Sequence, residues 1–163
     1  MNHYEQYVAF MTIVRKEIRR YLRIWSQTLL PSAITMSLYY VIFGNLIGSR
    51  IGTMGGFSYM EFVVPGLIMM AIVTNSYANV VSSFYGAKFS RHIEEMLVSP
   101  IPNVVILLGF LTGGVARGLT VGLAVTIVSQ FFTSFNVHNM FLVFSVGLLT
   151  ALLFSLAGLI NGV

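Results

Sequence analysis

Residues 62–84 read FVVPGLIMMAIVTNSYANVVSSF, a long run without a single charged side chain. About 20 such residues, wound into a helix, cross a hydrocarbon core of roughly 30 Å. In hydrocarbon every backbone N–H and C=O must find a partner inside the protein, so spanning segments are helices or closed barrels. Barrel strands alternate polar and apolar residues, and this run does not. It is therefore predicted to be a transmembrane helix.

The composition of the whole chain agrees with a membrane protein. Of its 163 residues, 56% are hydrophobic and only 9% are charged. A soluble domain carries about 25% charged residues, which it needs to cover its surface. The absence of cysteine excludes a disulfide scaffold and thiol chemistry. Residues 1–23 carry many charges and lack a short apolar core before a cleavage site, so they are not a secretory signal.

The uncharged runs between charged segments predict an all-α, polytopic fold with four membrane spans. The spans are predicted at 29–48, 62–84, 104–132 and 140–163. The third would be about 43 Å long at 1.5 Å per residue, which exceeds one straight crossing. We therefore expect it to tilt or to break at Gly113 and Gly114.

The positions of lysine and arginine predict the orientation in the membrane. The first span is preceded by Arg15, Lys16, Arg19, Arg20 and Arg23. Arg50 lies in the loop after the first span, whereas Lys88 and Arg91 lie in the next loop. Cytoplasmic flanks carry the excess of lysine and arginine. The N-terminus and residues 85–103 are therefore predicted to be cytoplasmic.

Residues 4–25 are amphipathic. The apolar side is predicted to hold Tyr7, Met11, Val14, Ile18, Tyr21, Leu22 and Trp25, opposite the basic face of Arg15, Lys16, Arg19, Arg20 and Arg23. This pattern predicts a helix in the plane of the membrane interface, with its basic face toward lipid phosphates or a cytoplasmic partner. The alternative is a plain topology anchor. Nucleic-acid binding is not expected for a segment tethered to a span.

The loop at 85–103 contains a second short amphipathic stretch. Residues 89–98 have helical spacing, and the Ser99-Pro100 step ends the helix because a residue before proline avoids the α region. The stretch is either a solvated connection or a docking element for a cytoplasmic protein. Its apolar side, next to charged residues, suits a partner's groove.

Polar side chains also lie inside the predicted spans. Arg117 lies deep in the third span, where a charge costs at least about 2.5 kcal/mol on insertion scales. It is either a structural arginine or part of a functional site. Asn75, Asn79 and Ser82 follow helical spacing, so that one face of the second span is polar. Such a face packs against other helices or lines a pathway.

Motifs for catalysis are missing from the sequence. There is no G-x-x-x-x-G-K-[ST] phosphate loop, no G-x-S-x-G and no H-E-x-x-H. His3, His92 and His138 are scattered over different regions of the sequence, which makes them poor metal ligands. We therefore predict no catalytic site and no metal site, and an intramembrane hydrolase has little support.

Taken in order, the amphipathic N-terminal helix, VPGLIMMAIVTNSYANVVSSF, GAKFSRHIEEMLVSPIP and GGVARG resemble the permease subunits of type 2 ABC transporters. The resemblance covers essentially residues 1–163 and is strongest over 64–102. It implies a bacterial inner-membrane exporter permease of unknown substrate. Such permeases have six spans, so the chain is expected to be truncated at its C-terminal side. The alternative is a non-transporting scaffold or an inactive permease fragment.

The resemblance also implies partners. The coupling helix, residues 89–98, would dock onto a separate ATPase subunit. Its contacts would be Phe89, Arg91, His92, Glu94, Glu95, Ser99 and Pro100. Residues 4–25 would be the interfacial connecting helix, in contact with membrane lipids. The chain itself would bind no cofactor, because ATP and Mg²⁺ would bind the ATPase, and two permeases would pair as a homodimer.

Overall fold

The computed structural model describes residues 2–51, 53–54, 56–133 and 139–162, and it is dominated by helices. The elements are α1 (His3–Arg23), α2 (Trp25–Thr28), α3 (Leu30–Val41), a π-helical segment (Ile42–Ile47), α4 (Gly48–Ile51), β1 (Thr53–Met54), β2 (Phe57–Ser58), α5 (Tyr59–Phe89), α6 (His92–Val98), α7 (Asn103–Ser129) and α8 (Met140–Gly162). The two short strands pair antiparallel. The predicted all-α membrane architecture is confirmed, with this small hairpin as an addition.

Three uninterrupted helices in the described residues are long and apolar enough to cross a membrane. They are α5, α7 and α8. The predicted first span is also helical, from α3 through α4, but the π-helical segment divides it. After the first predicted span, α4 extends to residue 51, the strands β1 and β2 follow, and α5 begins at Tyr59.

The ends of α5 have clear local causes. At its start Ser58 and Glu61 form a capping box: the Glu61 N–H donates to Ser58 Oγ at 3.3 Å, and the Ser58 N–H donates to Glu61 Oε2 at 2.9 Å. At its end Arg91 adopts a left-handed conformation with φ of 60°. This conformation costs a non-glycine residue about 1–2 kcal/mol, and it turns the chain from α5 into α6.

Glycines let α7 approach its neighbours closely. Of the two expected alternatives, the break at Gly113 and Gly114 is excluded because α7 is continuous from Asn103 to Ser129, and the tilt stays a prediction. A Cβ at Gly114 would lie 2.4 Å from Val80 Cγ2, and one at Gly113 would lie 2.6 Å from Glu17 Cβ. Because these glycines have no side chain, α5 can pack closely on one side of α7 and α1 can pack closely on the other. Small residues allow the same close packing between membrane helices in general.

The helix α1 runs alongside α7 rather than across it. Ile13 lies against Gly109, Glu17 lies against Gly113, and Tyr21 Oη is 3.4 Å from Thr120 Oγ1. Later residues of α1 thus meet later residues of α7, which means that both helices point the same way.

The buried stripe of α1 differs from the predicted apolar side. Its buried residues are Ile13, Val14, Glu17 and Tyr21. Tyr7, Leu22 and Trp25, which were predicted on the apolar side, are exposed. The position of α1 relative to the membrane interface remains a prediction.

Candidate functional site: a buried polar junction and an exposed loop

Glu17 is the centre of a polar junction between α1, α5 and α7. Its side chain is completely buried, at 0% exposure. Ser83 Oγ donates to the carboxylate at 2.7 Å, and Arg20 Nε donates to Oε2 at 3.3 Å. An unpaired carboxylate in such a place would cost several kcal/mol. The arginine and the serine compensate that cost, and Gly113 leaves the space that the glutamate stem occupies.

Arg20 links α1 to the middle of α5. Its Nη2 donates to Asn79 Oδ1 at 2.8 Å and to the Asn79 carbonyl oxygen at 3.2 Å. It was predicted on the basic face of α1, and its side chain is 30% exposed, so it contributes both to that face and to the junction. That the face contacts lipid phosphates or a partner stays a prediction. Arg20 lies one helical turn after the buried Glu17, which draws its guanidinium inward. The rest of that face is exposed: Arg15, Lys16, Arg19 and Arg23.

Asn75 and Arg117 extend the junction to α3. Arg117 Nη2 donates to Asn75 Oδ1 at 3.4 Å, and Asn75 Nδ2 donates to Ser32 Oγ at 3.2 Å. Arg117 is only partly exposed, and its Nε has no hydrogen-bond partner among the described residues. The charge in the third predicted span therefore faces protein.

The polar face of α5 packs against other helices. Asn75 and Asn79 are buried, whereas Ser82 is exposed and donates back to the Asn79 carbonyl at 3.1 Å. The third buried member of this series is Ser83, so including Ser82 was wrong by one residue. Ser83 and Asn79 bond residues of α1, and Asn75 bonds residues of α3 and α7, which favours packing over a pathway lining.

The loop after α5 exposes apolar side chains. Phe89, Leu97 and Val98 are 81%, 56% and 88% exposed, whereas Ile93 and Met96 pack against the core below. That core cluster contains Ile13, Phe84, Phe110 and Leu159 among its buried residues. The inner side of α6 thus packs on a core cluster to which α1, α5, α7 and α8 contribute.

The predicted coupling helix at 89–98 is shorter in the structure. The helix α6 covers His92–Val98, so residues 89–91 of the predicted helix fall outside it. Phe89 is the last residue of α5 and stacks on Tyr85, with ring centroids 6.5 Å apart. Arg91 is the left-handed residue before α6. The difference arises because α5 runs on to residue 89 before the chain turns.

The polar residues predicted for docking share the loop surface. His92, Glu94, Glu95 and Pro100 are exposed, and Ser99 Oγ donates to the Met96 carbonyl at 2.5 Å. An open cleft of about 350 Å³ separates this surface from α1. It is lined by Lys16, His92, Glu95, Met96, Ser99 and Ile101.

No group of three or more histidine, aspartate or glutamate side chains in the described part of the chain is placed to hold a metal ion. His3 and His92 lie at the start of α1 and of α6, respectively. His138 lies outside the described residues.

The sequence predictions missed Glu17, Ser83 and Ser32 as site residues. Glu17 carried a usable signal, because it interrupts the apolar stripe formed by Ile13, Val14 and Tyr21 at helical spacing. An acid in such a stripe needs a buried partner. Ser32 carried no comparable signal, since its role depends on where α3 meets α5.

Comparison with known proteins places the chain in a family. The family model described as "ABC-2 type transporter" matches residues 8–163. The chain is 63% identical over 157 residues to the inner membrane transport permease YadH of Escherichia coli strain K12. The YadH proteins of Escherichia coli O157:H7 and Shigella flexneri match equally. The match covers 96% of this chain and 61% of each relative's length. No solved structure matches the chain. With nearly all of its length inside the family model, the chain belongs to the ABC-2 type transporter family.

Proposed function

We propose that the chain is the membrane-spanning part of a permease subunit of an ATP-binding-cassette exporter. Membership in the family and the name of the relatives, inner membrane transport permease, support this proposal. ATP and Mg²⁺ would bind a separate ATPase subunit, and the permease would carry out no hydrolysis. Two permeases would pair around a pathway, with the N-terminus and the α5–α7 loop in the cytoplasm.

The exposed loop surface carries this proposal. Leaving Phe89, Leu97 and Val98 in water is unfavourable by about 25 cal/mol for each Å² of apolar surface. A partner's groove that covers these side chains would recover that free energy. Glu94 and Glu95, both exposed on α6, would supply the polar contacts around it. A connection that only had to turn the chain would not need an apolar outer side.

The inner side of α6 suggests how docking would act on the membrane helices. Ile93 and Met96 contact the core cluster that joins α1, α5, α7 and α8. A protein core is close-packed and transmits displacement rather than absorbing it. Movement of the ATPase would therefore shift α6 together with these four helices.

The test compares two variants of the intact permease, purified together with its ATPase. Glu94→Gln combined with Glu95→Gln removes both acids of α6, and we expect reduced co-purification and a loss of permease-dependent ATP turnover. The matched control is Glu5→Gln, which removes an exposed acid at the start of α1, where glutamine can still form the capping box. Unchanged binding and turnover in the α6 variant would refute the docking assignment and favour the scaffold alternative.

A further inference from the structure

Several buried polar atoms at the junction have no hydrogen-bond partner among the described residues. Buried atoms without a partner among the described residues include Arg117 Nε, Asn79 Nδ2 and Ser76 Oγ. Two of these groups can only donate, and the hydroxyl can donate or accept. A buried donor without an acceptor costs about 1–3 kcal/mol. The acceptor that completes this site must therefore come from outside the described residues.

Positive charge exceeds negative charge at the junction. Arg20 binds Asn79 and Arg117 binds Asn75, one helical turn apart on α5, and Glu17 is the acid between α1 and α5. Glu17 already pairs with Arg20, so it leaves Arg117 without a carboxylate. The other acids of the sequence lie at the ends of helices: Glu5, Glu61, Glu94 and Glu95. An anion would stabilise the partly buried Arg117 more than water does, because water supplies an acceptor without neutralising the charge.

A basic cleft borders the junction at Arg20. It has a volume of about 270 Å³ and is lined by Lys16, Arg20, Arg23 and Ile24. The Nε and Nη2 of Arg20 bind Glu17 and Asn79, so Arg20 is the residue that the cleft and the junction share. An anion in this cleft would lie against the positive charges of Lys16, Arg20 and Arg23.

We propose that Arg117, with Arg20 beside it, binds a phosphate-type anion at the junction of α1, α5 and α7. The planar guanidinium presents paired N–H donors that match two oxygens of a phosphate, and the free Nε of Arg117 is one of them. The anion is the phosphodiester of a lipid headgroup or a phosphate on a soluble molecule, because both carry the same oxygens. The site does not depend on the proposed transport function.

The experiment uses the intact protein in phosphate-free maltoside detergent, with its melting temperature followed by circular dichroism. The probes are phosphatidylglycerol, inorganic phosphate, and diacylglycerol of the same acyl chains as the phosphate-free control. We expect phosphatidylglycerol or phosphate to raise the melting temperature of the wild type by about 5 °C at saturation. Stabilisation by phosphatidylglycerol alone identifies a lipid headgroup, and stabilisation by inorganic phosphate identifies a soluble ligand.

Two variants locate the effect. Arg117→Gln should lose the shift, whereas Arg50→Gln, which removes an exposed arginine from α4, should keep it. If Arg117→Gln fails to fold, Arg117→Lys takes its place; it should bind about tenfold more weakly, the factor for one lost charge-assisted hydrogen bond. The proposal is overturned if neither phosphate probe stabilises the wild type, if diacylglycerol stabilises it equally, or if the Arg117 variant responds as the wild type does.

Discussion

Gly114 offers a quantitative test of the packing between α5 and α7. An alanine Cβ there would lie 2.4 Å from Val80 Cγ2, 2.6 Å from Ser155 Oγ and 3.1 Å from the Ser76 carbonyl oxygen. The first two atoms belong to side chains, but the third is backbone, so the two helices must separate. Overpacking of this kind costs about 1–3 kcal/mol. We expect Gly114→Ala to lose this amount relative to a glycine replaced in open space.

Gly66 supplies that matched control. It lies within α5, and a Cβ there would meet no atom within 4 Å. Alanine is favoured over glycine in a helix by about 1 kcal/mol, and this gain applies to both variants. The difference between Gly66→Ala and Gly114→Ala therefore isolates the contact. Unfolding of the intact protein by titrating sodium dodecyl sulfate into mild detergent measures both free energies.

Val80 gives the experiment a second arm. Val80→Ala removes the methyl group nearest to the new Cβ, so the double variant with Gly114→Ala should be more stable than the sum of the single effects predicts. Neighbouring residues that share a contact show coupling energies of about 0.5–3 kcal/mol. If Gly114→Ala is as stable as Gly66→Ala, and no coupling to Val80 is found, the close approach of α5 and α7 is refuted.

Further substitutions test the junction and the turn before α6. Glu17→Gln should destabilise the protein by about 1–2 kcal/mol in the same titration, since it breaks the ion pair to a partly exposed Arg20; no change would mean that the pair is dispensable. Ser83→Ala should cost about 1–2 kcal/mol because the buried carboxylate loses a donor. The neighbouring exposed Ser82→Ala should change stability by less than about 0.5 kcal/mol, and equal effects at the two serines would contradict this assignment. Arg91→Gly should raise stability by about 0.5–1 kcal/mol, measured by thermal unfolding, because glycine adopts the left-handed turn without strain; a loss would show that the arginine side chain contributes more than its backbone costs.

The membrane architecture was predictable from the sequence because bilayer thickness fixes the length of apolar runs. The runs at 62–84 and 104–132 correspond to α5 and α7, with ends that differ by a few residues. Helix ends were less predictable, since the capping box at Ser58 and the turn at Arg91 depend on local backbone geometry. Their residue types occur equally well inside loops.

The role of glycine inside the spans was the feature that the sequence predicted least well. A glycine pair inside a span is compatible with a break and with a close helix crossing, and only the neighbouring helix distinguishes them. At Gly113 the neighbour is α1, whose predicted position in the interface plane gave no reason to expect such a contact. The break that was considered at Gly113 and Gly114 and the missed Glu17 thus have the same origin. Both follow from the unpredicted alignment of α1 with α7.

The position of α1 connects the exposed loop to the buried junction. Lys16 lines the cleft against α6, and its Nζ lies 5.9 Å from the centre of the Phe110 ring on α7. One residue later Glu17 enters the junction that contains Arg20 and, through Asn79 and Asn75, reaches Arg117. Suppose that a docked partner at α6 shifts α1 and thereby changes the affinity of the junction for its anion by some factor. By linkage, the anion must then change the affinity for the partner by the same factor. ATPase binding is therefore measured with and without phosphatidylglycerol, in the wild type and in Glu17→Gln. If α1 carries the coupling, Glu17→Gln should still bind the ATPase, but phosphatidylglycerol should no longer change the affinity.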